Sequence, residues 1–87
     1  MDRDTGLKRL RFRAHHRGTK EADLLLGGFF EAHHDRWDAA AIALFEALLE
    51  EQDADILGWA MGAIEVPERW QGAMMSALQR LDYVRQP

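Results

Sequence analysis

The chain divides at the stretch Arg17-Gly18-Thr19-Lys20-Glu21, where a basic, weakly apolar leader gives way to a strongly apolar body. Glycine costs about 1 kcal/mol relative to alanine inside a helix, so Gly18 is expected at a junction between two helices. A helix that begins after Gly18 leaves its first N–H groups pointing outward beside an arginine and a glutamate. Such a corner suits recognition of a partner or of an anionic group.

Two helices are predicted to flank this junction, because apolar residues recur at helical spacing on both sides of it. The first helix carries a narrow apolar stripe of Leu7, Leu10 and Ala14. The second should run from about Thr19 to His33 or His34, with an apolar face made of Ala22, Leu25, Leu26, Phe29 and Phe30. Gly27 and Gly28 lower the helix propensity in its middle, and we interpret them as the place where a neighbouring helix approaches closely.

Two further helices follow a polar connection. One should run from about residue 38 to about residue 51, with Asp38 as its N-cap. The next is a short helix that Asp53 or Asp55 caps and that ends near Gly62, a residue suited to a left-handed C-terminal cap. The core sides of these two helices are formed by Ile42, Phe45, Leu48, Leu49, Ile56, Leu57, Ala60 and Met61.

The last helix should begin at Pro67, because the N–H that proline lacks is not needed at the first position of a helix. Its core side repeats at three and four residues and consists of Trp70, Met74, Ala77, Leu78, Leu81 and Val84. Five short helices joined by tight turns predict an all-α fold, a compact five-helix bundle. At 87 residues the chain has room for one core, so we expect a single small domain over residues 1–87, ordered from about 7 to 84 and loose at 1–6 and 85–87.

Composition excludes several classes of function. The chain has no cysteine, which excludes disulfides, thiolate metal sites and cysteine nucleophiles. It has no glycine-rich phosphate loop and no dinucleotide fingerprint, so we expect no catalytic residues and no enzyme. Nothing approaches the run of about 18 apolar residues that a membrane span needs, and the polar first residues are unlike a secretory signal or a transit peptide. We therefore expect no membrane insertion and a bacterial cytoplasmic protein.

Charge is distributed unevenly along the chain, whose net charge is −4. Residues 1–20 carry a net charge of +5 and residues 21–87 a net charge of −9. The acidic total argues against nucleic-acid binding, which depends on neutralising phosphates. The basic end can still steer the protein onto an acidic protein surface.

Three segments of the chain resemble one protein family. Residues 16–27 contain an Arg-Gly-x-x-Glu motif formed by Arg17, Gly18 and Glu21. Residues 45–50, followed by Asp-x-Asp, two aliphatic residues, x and Trp at 53–59, make a second block. Together with Pro67 and the terminal helix, these segments resemble the FAD assembly factors of succinate dehydrogenase, small helical proteins of bacteria and mitochondria. The resemblance covers about residues 7–83.

The resemblance implies a dedicated chaperone for the flavoprotein subunit of succinate dehydrogenase, and by extension for that of fumarate reductase. Such a protein promotes the covalent attachment of FAD to its partner. Because the histidyl–flavin bond forms on the partner, the resemblance implies no cofactor-binding residues and no cofactor of its own, only action on FAD held by the flavoprotein. We expect a monomer, and whether it contacts free FAD stays open.

The resemblance also assigns the contact with the flavoprotein to three residues of the corner. The planar guanidinium of Arg17 can donate hydrogen bonds to a carboxylate or to carbonyl groups. Gly18 permits close approach of a partner backbone. Glu21 can fix the arginine or accept hydrogen bonds from the partner. The flanking residues of this predicted interface are His16, Lys20 and Asp23. Weaker candidates are Phe12, Arg13 and Trp59, the last as a brace beneath the corner.

Two histidine pairs, His15-His16 and His33-His34, lie at opposite ends of the predicted second helix. At about 1.5 Å per residue the helix separates them by about 25 Å, so one metal ion cannot bridge them within one chain. We therefore expect no metal site.

Two other interpretations of the chain stay open. The basic first helix and the turn at Gly18 could imitate a helix-turn-helix, which would make the chain a small nucleic-acid-binding module whose affinity falls steeply with salt. Alternatively, the chain could be a generic adaptor that docks some other protein.

Overall fold

The computed structural model describes residues 3–84, which fold as a bundle of short helices. The five α-helices are α1 (Arg3–His15), α2 (Lys20–His33), α3 (Ala39–Leu48), α4 (Asp53–Ala60) and α5 (Ala73–Arg80). Two 3₁₀ turns, His34–Arg36 and Glu68–Trp70, lie in the connections. No strand occurs within residues 3–84, so the prediction of an all-α, five-helix fold in one small domain is confirmed.

Helix α2 supplies the centre of the core. Its two adjacent phenylalanines, Phe29 and Phe30, are fully buried, and both rings lie about 6 Å from the ring of Phe45 on α3. The Trp37 ring closes the cluster 4.8 Å from Phe45. Since large aromatic side chains bury the most apolar area, this cluster anchors α3 and the first 3₁₀ turn to α2.

The adjacent glycines of α2 mark close approaches, of a helix at Gly27 as predicted and of a non-helical segment at Gly28. A Cβ added at Gly27 would lie 2.3 Å from Nδ1 of His15, so the imidazole of α1 lies directly on the α2 backbone. A Cβ at Gly28 would lie 3.1 Å from the carbonyl oxygen of Tyr83. Gly27 therefore leaves room for α1, and Gly28 leaves room for the segment after α5.

The first helix begins earlier than the apolar stripe predicts. It already includes residues 3–6, where the sequence suggested loose chain, and Asp4 lies in its first turn. An acidic residue there interacts favourably with the positive end of the helix dipole. The other residues predicted to be loose, 1–2 and 85–87, lie outside the described residues.

The cap predictions are right at two helix ends and wrong at a third. Asp38 accepts a hydrogen bond from the N–H of Ala41 at 2.8 Å and caps α3. Gly62 has a φ of +75° just after α4, as expected for a left-handed cap. At the start of α4, neither Asp53 nor Asp55 is the cap, because Gln52 holds that position without a side-chain hydrogen bond. Both aspartates lie within the first turn.

The prediction of one long helix from Pro67 is wrong. Pro67 precedes the second 3₁₀ turn, and the chain then becomes extended at Gln71. Gly72 has a φ of +145°, which no residue inside a right-handed helix can adopt, so α5 can begin only at Ala73. Helix α5 ends at Arg80, and the next residue, Leu81, has a φ of +56°.

Within residues 3–84, no helix has both the length and the apolar character required to cross a bilayer.

Candidate functional site

The corner between α1 and α2 is built by two local devices. Gly18 has a φ of +112°, a conformation that side-chain-bearing residues rarely adopt, and this turns the chain between the helices. Thr19 then caps α2, since its hydroxyl accepts a hydrogen bond from the N–H of Ala22 at 3.2 Å. A Cβ at Gly18 would meet nothing within 4 Å, so the glycine serves the backbone turn and lies open to the surroundings.

Arg17 binds within its own chain. Its Nε donates to Oδ1 of Asp53 at 2.8 Å, and its Nη2 donates to the carbonyl oxygen of Glu51 at 3.2 Å. The arginine side chain is only 12% exposed. Arg17 therefore fastens the corner to the start of α4, and the suggestion that Glu21 fixes the arginine is wrong. Arg17 precedes α2, so the two residues do not share the helix face that an i,i+4 pair requires.

The other predicted contact residues divide into an inward and an outward group. The half-buried carboxylate of Asp23 accepts a hydrogen bond from the N–H of Arg17 and helps to form the turn. Lys20 and Glu21 are exposed, and within residues 3–84 neither side chain has a hydrogen-bond or ion-pair partner. Two unpaired opposite charges therefore stand on the first turn of α2.

His16 and Phe12 form a second exposed feature, on the last turn of α1. Their rings stack with centroids 4.0 Å apart, and Nδ1 of His16 lies 2.7 Å from the carbonyl oxygen of Phe12. Phe12 is 63% exposed, the highest fraction among the large apolar residues that the structure describes. A large flat apolar face thus lies beside the charged corner.

Two of the arginines on α1 are paired within the fold. Arg13 pairs with Glu50 and lies 4.0 Å from Glu46, while Nε of Arg11 lies 2.8 Å from Oε2 of Glu31. Paired arginines release few counterions on binding phosphates, which weakens the case for a nucleic-acid-binding helix. Arg13 therefore lies in an exposed ion pair, and its contact with a partner stays a prediction.

Trp59 is a core residue. Its side chain is 4% exposed, and its ring centroid lies 6.4 Å from that of Trp70. Nε1 of Trp70 is a buried donor without a partner within residues 3–84. Any contribution of Trp59 to partner binding acts through the packing of α4, whose first turn holds Arg17.

The four histidines lie in different surroundings. Nε2 of His15 lies 2.9 Å from Oε2 of Glu31. The His34 ring stacks on Phe30 with centroids 4.5 Å apart. Burial and the nearby charge of Arg36 lower the pKa of His33. Within residues 3–84, no three His, Asp or Glu residues come together in a way that could hold a metal ion.

Two ionisable groups near α1 and α2 have shifted pKa values. Partial burial alone would raise the pKa of Glu31, but hydrogen bonds from His15 and Arg11 and their charges outweigh it, so the pKa is lowered. Burial raises the pKa of Tyr83 well above its usual range, and the neighbouring Asp82 adds to the effect. The Tyr83 hydroxyl donates to the carbonyl oxygen of Leu78 at 2.6 Å.

Two cavities open beside the corner, and the sequence did not point to either. The larger, of about 560 Å³, lies between α2 and the segment after α5, and its lining includes Asp23, Glu31 and Asp82. The smaller, of about 300 Å³, is an apolar groove lined by Glu21, Leu24, Leu25, Met61, Leu81 and Val84. Met61 and Leu81 were predicted to face the core, but they are 62% and 38% exposed. Met61 and Leu81 follow the last residues of α4 and α5, so the helical spacing that predicted a core position does not extend to them.

Sequence comparisons connect the chain to known proteins. The profile of the family Sdh5, flavinator of succinate dehydrogenase, matches residues 8–82. The chain is similar to the FAD assembly factor SdhE of Acetobacter pasteurianus, with 44% identity over 61 residues, which cover 70% of this chain and 56% of the relative. It is also similar to the mitochondrial succinate dehydrogenase assembly factor 2 of Schizosaccharomyces pombe, with 37% identity over 73 residues that cover 84% and 52% of the two chains.

A third relative is the protein of the same name from Dictyostelium discoideum, with 31% identity over 72 residues that cover 83% of this chain and 51% of the relative. The chain thus spans about half the length of the relatives it matches. The matched region of the family profile contains the whole corner and the start of α4 that holds Arg17.

Proposed function

The chain belongs to the family of flavinators of succinate dehydrogenase, and from this membership we propose that it is an assembly factor that binds the flavoprotein subunit of that enzyme. It promotes the covalent attachment of FAD to the subunit. The observation that supports this most is the family match over residues 8–82, which includes the Arg-Gly-x-x-Glu corner. The exposed side chains of Lys20 and Glu21, which no residue within 3–84 pairs, and the open backbone at Gly18 give that corner a surface for a partner.

The proposed mechanism is alignment of groups that belong to the partner. Covalent attachment joins a histidine of the partner to the flavin that the partner holds, so the partner and its FAD would supply the chemistry. A bound assembly factor favours this step if it binds more tightly to the conformer in which the two groups are aligned. Alignment of that kind can remove about 7–11 kcal/mol of a barrier in the most favourable cases.

The chain itself is proposed to hold no cofactor and to catalyse no reaction alone. The larger cavity beside the corner has Asp23, Glu31 and Asp82 in its lining and, among the residues that the structure describes, no lysine or arginine that could bind the diphosphate of FAD. We propose that the flavin stays with the flavoprotein while the chain contacts protein surface.

Three finer points belong to the same proposal. The chain acts as a monomer, because its unpaired corner is to meet a different protein. It works in the bacterial cytoplasm, where the flavoprotein subunit is assembled. The flavoprotein of fumarate reductase is a second partner, since it presents the same attachment chemistry.

The experiment that tests the function is flavin fluorescence of the denatured flavoprotein subunit in a gel, with and without this chain. We expect the chain to raise covalent flavin several-fold and Glu21→Ala to abolish the increase. Glu65→Ala is the matched control, since Glu65 is also an exposed glutamate without a partner within residues 3–84. Equal flavin with and without the chain would refute the function. Equal effects of the two variants would refute the site alone.

A further inference from the structure

The apolar groove beside the corner gathers exposed side chains from three segments of the chain. Leu24 of α2 is 41% exposed, Met61 follows α4 and is 62% exposed, and Leu81 follows α5 and is 38% exposed. All three line one groove of about 300 Å³, with the buried Leu25 also in its lining. Single exposed apolar residues are ordinary on a protein surface, but apolar residues that converge in one concave place mark a binding site.

Leu81 is held in an unfavourable conformation at this groove. It is the only residue other than glycine within 3–84 that has a positive φ, at +56°. Helices commonly end in this conformation at glycine, because a side chain is strained there. The leucine side chain lies in the groove, where 38% of the residue is exposed, and not in the sealed core. The fold thus presents a large apolar side chain at a position that suits glycine.

One carboxylate lies in the lining of the groove. Glu21 belongs to the lining, is exposed and has no side-chain partner within residues 3–84. An apolar lining beside an exposed carboxylate that no described residue pairs is complementary to an apolar side chain that stands next to a lysine or an arginine.

We propose that this groove docks a segment of the flavoprotein partner in which an apolar side chain lies beside a lysine or arginine. The apolar side chain fills the space between Leu24, Met61 and Leu81, and the cation pairs with Glu21. The inference rests on the proposed function, because Glu21 belongs both to the corner and to the groove. It adds an anchor that the Arg-Gly-x-x-Glu motif does not contain.

The test measures the affinity of the chain for the apo-flavoprotein subunit by titration calorimetry. Leu24→Gln is compared with Leu44→Gln, since Leu44 is 40% exposed on α3 and lines neither cavity. We expect Leu24→Gln to weaken binding about tenfold or more, which corresponds to about 1.4 kcal/mol. Leu44→Gln should bind like the wild type. Thermal unfolding of each variant verifies that both remain folded.

A second variant, Leu81→Gly, separates binding from folding. Glycine removes the strain at the positive φ, so we expect little change in the melting temperature. Because the leucine side chain is lost from the groove, we expect the affinity for the apo-flavoprotein subunit to fall about tenfold. Glu21→Gln should weaken binding mainly at low salt, because it removes a charge pair.

The outcomes separate this inference from the proposed function. If the wild-type chain raises flavinylation but Leu24→Gln and Leu81→Gly bind as tightly as Leu44→Gln, the groove proposal is wrong and the function stands. If the wild-type chain neither binds nor raises flavinylation, both are wrong. If the wild type sediments as a dimer that Leu24→Gln dissociates, the groove holds a second copy of the chain, which also overturns the proposal.

Discussion

Arg17 belongs to the Arg-Gly-x-x-Glu motif, but its contacts lie within the fold and stabilise the corner that carries the motif. Its guanidinium binds Asp53 and the carbonyl oxygen of Glu51, and its N–H binds Asp23. Glu21, in the same motif, is exposed without a partner within residues 3–84. Substitutions of Arg17 and of Glu21 therefore test different properties of the protein. A change at Arg17 alters the corner itself, whereas a change at Glu21 leaves the fold intact and reports on binding.

Arg17→Ala should destabilise the protein by about 1.5–3 kcal/mol, the range for hydrogen bonds to charged groups. The side chains of Arg17 and Asp53 are 12% and 23% exposed, so water replaces the lost bonds only in part. Urea unfolding measures the change in free energy. In the double variant Arg17→Ala/Asp53→Ala the loss should be smaller than the sum of the single losses. Additive losses would contradict the pairing.

Gly18→Ala should cost about 1–2 kcal/mol of stability, since L-residues are strained at positive φ. The added methyl group would meet nothing within 4 Å, so the cost comes from the backbone alone. A chain made by peptide ligation with D-alanine at this position should unfold like the wild type, because D-residues favour positive φ. Equal stability of the L- and D-alanine proteins would contradict this reason for the glycine. A D-alanine protein that folds but fails to bind the flavoprotein would show that the partner approaches the Gly18 backbone.

Helices α1 and α2 are fastened together by the side chains that lie across Gly27. The His15 ring lies on the Gly27 backbone, and its Nε2 reaches Glu31 one turn further along α2. Arg11 reaches the same carboxylate at 2.8 Å. The glycine thus allows the contact that sets the spacing of the two helices, and that spacing positions the corner between them.

Gly27→Ala should destabilise the protein by about 1–3 kcal/mol, because the new methyl group would overlap the His15 ring. In a His15→Ala background the overlap is gone, and the same substitution should stabilise α2 by about 1 kcal/mol through helix propensity. The four proteins of this cycle are compared by urea unfolding. The proposal of a steric contact fails if Gly27→Ala has the same effect in both backgrounds.

At the scale of the whole molecule, stability at alkaline pH depends on the segment that closes the bundle after α5. Tyr83 is the single tyrosine of the chain, and its hydroxyl binds the Leu78 carbonyl oxygen. Because its pKa is raised in the folded state, Tyr83 contributes stability that is fully present below its ordinary pKa of 10.0. This contribution is lost as the pH rises from there through the folded value.

The absorbance of the phenolate should therefore appear well above pH 10 in the native protein and together with unfolding, as followed by circular dichroism. Asp82→Asn should move the titration to lower pH, since one of the causes of the raised pKa is removed. Titration at the ordinary tyrosine pKa, with the helices intact, would show that the Tyr83 side chain is not held in the core.

Local signals in the chain were enough for the first four helices, apart from the start of α1, and for the turn at Gly18, the cap at Asp38 and the glycine after α4. Each depends on groups within a few residues of one another, whose conformational preferences act wherever the segment lies. The prediction of where the last helix begins is wrong because the positive φ of Gly72 depends on the path of the chain between Trp70 and α5.

The partner of Arg17 and the apolar groove could be found only in the folded chain. Asp53 is 36 residues away from Arg17 in sequence. The groove joins Leu24, Met61 and Leu81 from three separate segments. A periodic pattern shows which side of a helix is apolar, but the packing of distant helices determines whether that side is covered. The charges that pair inside the bundle and the surface that stays open for a partner were therefore set by tertiary contacts.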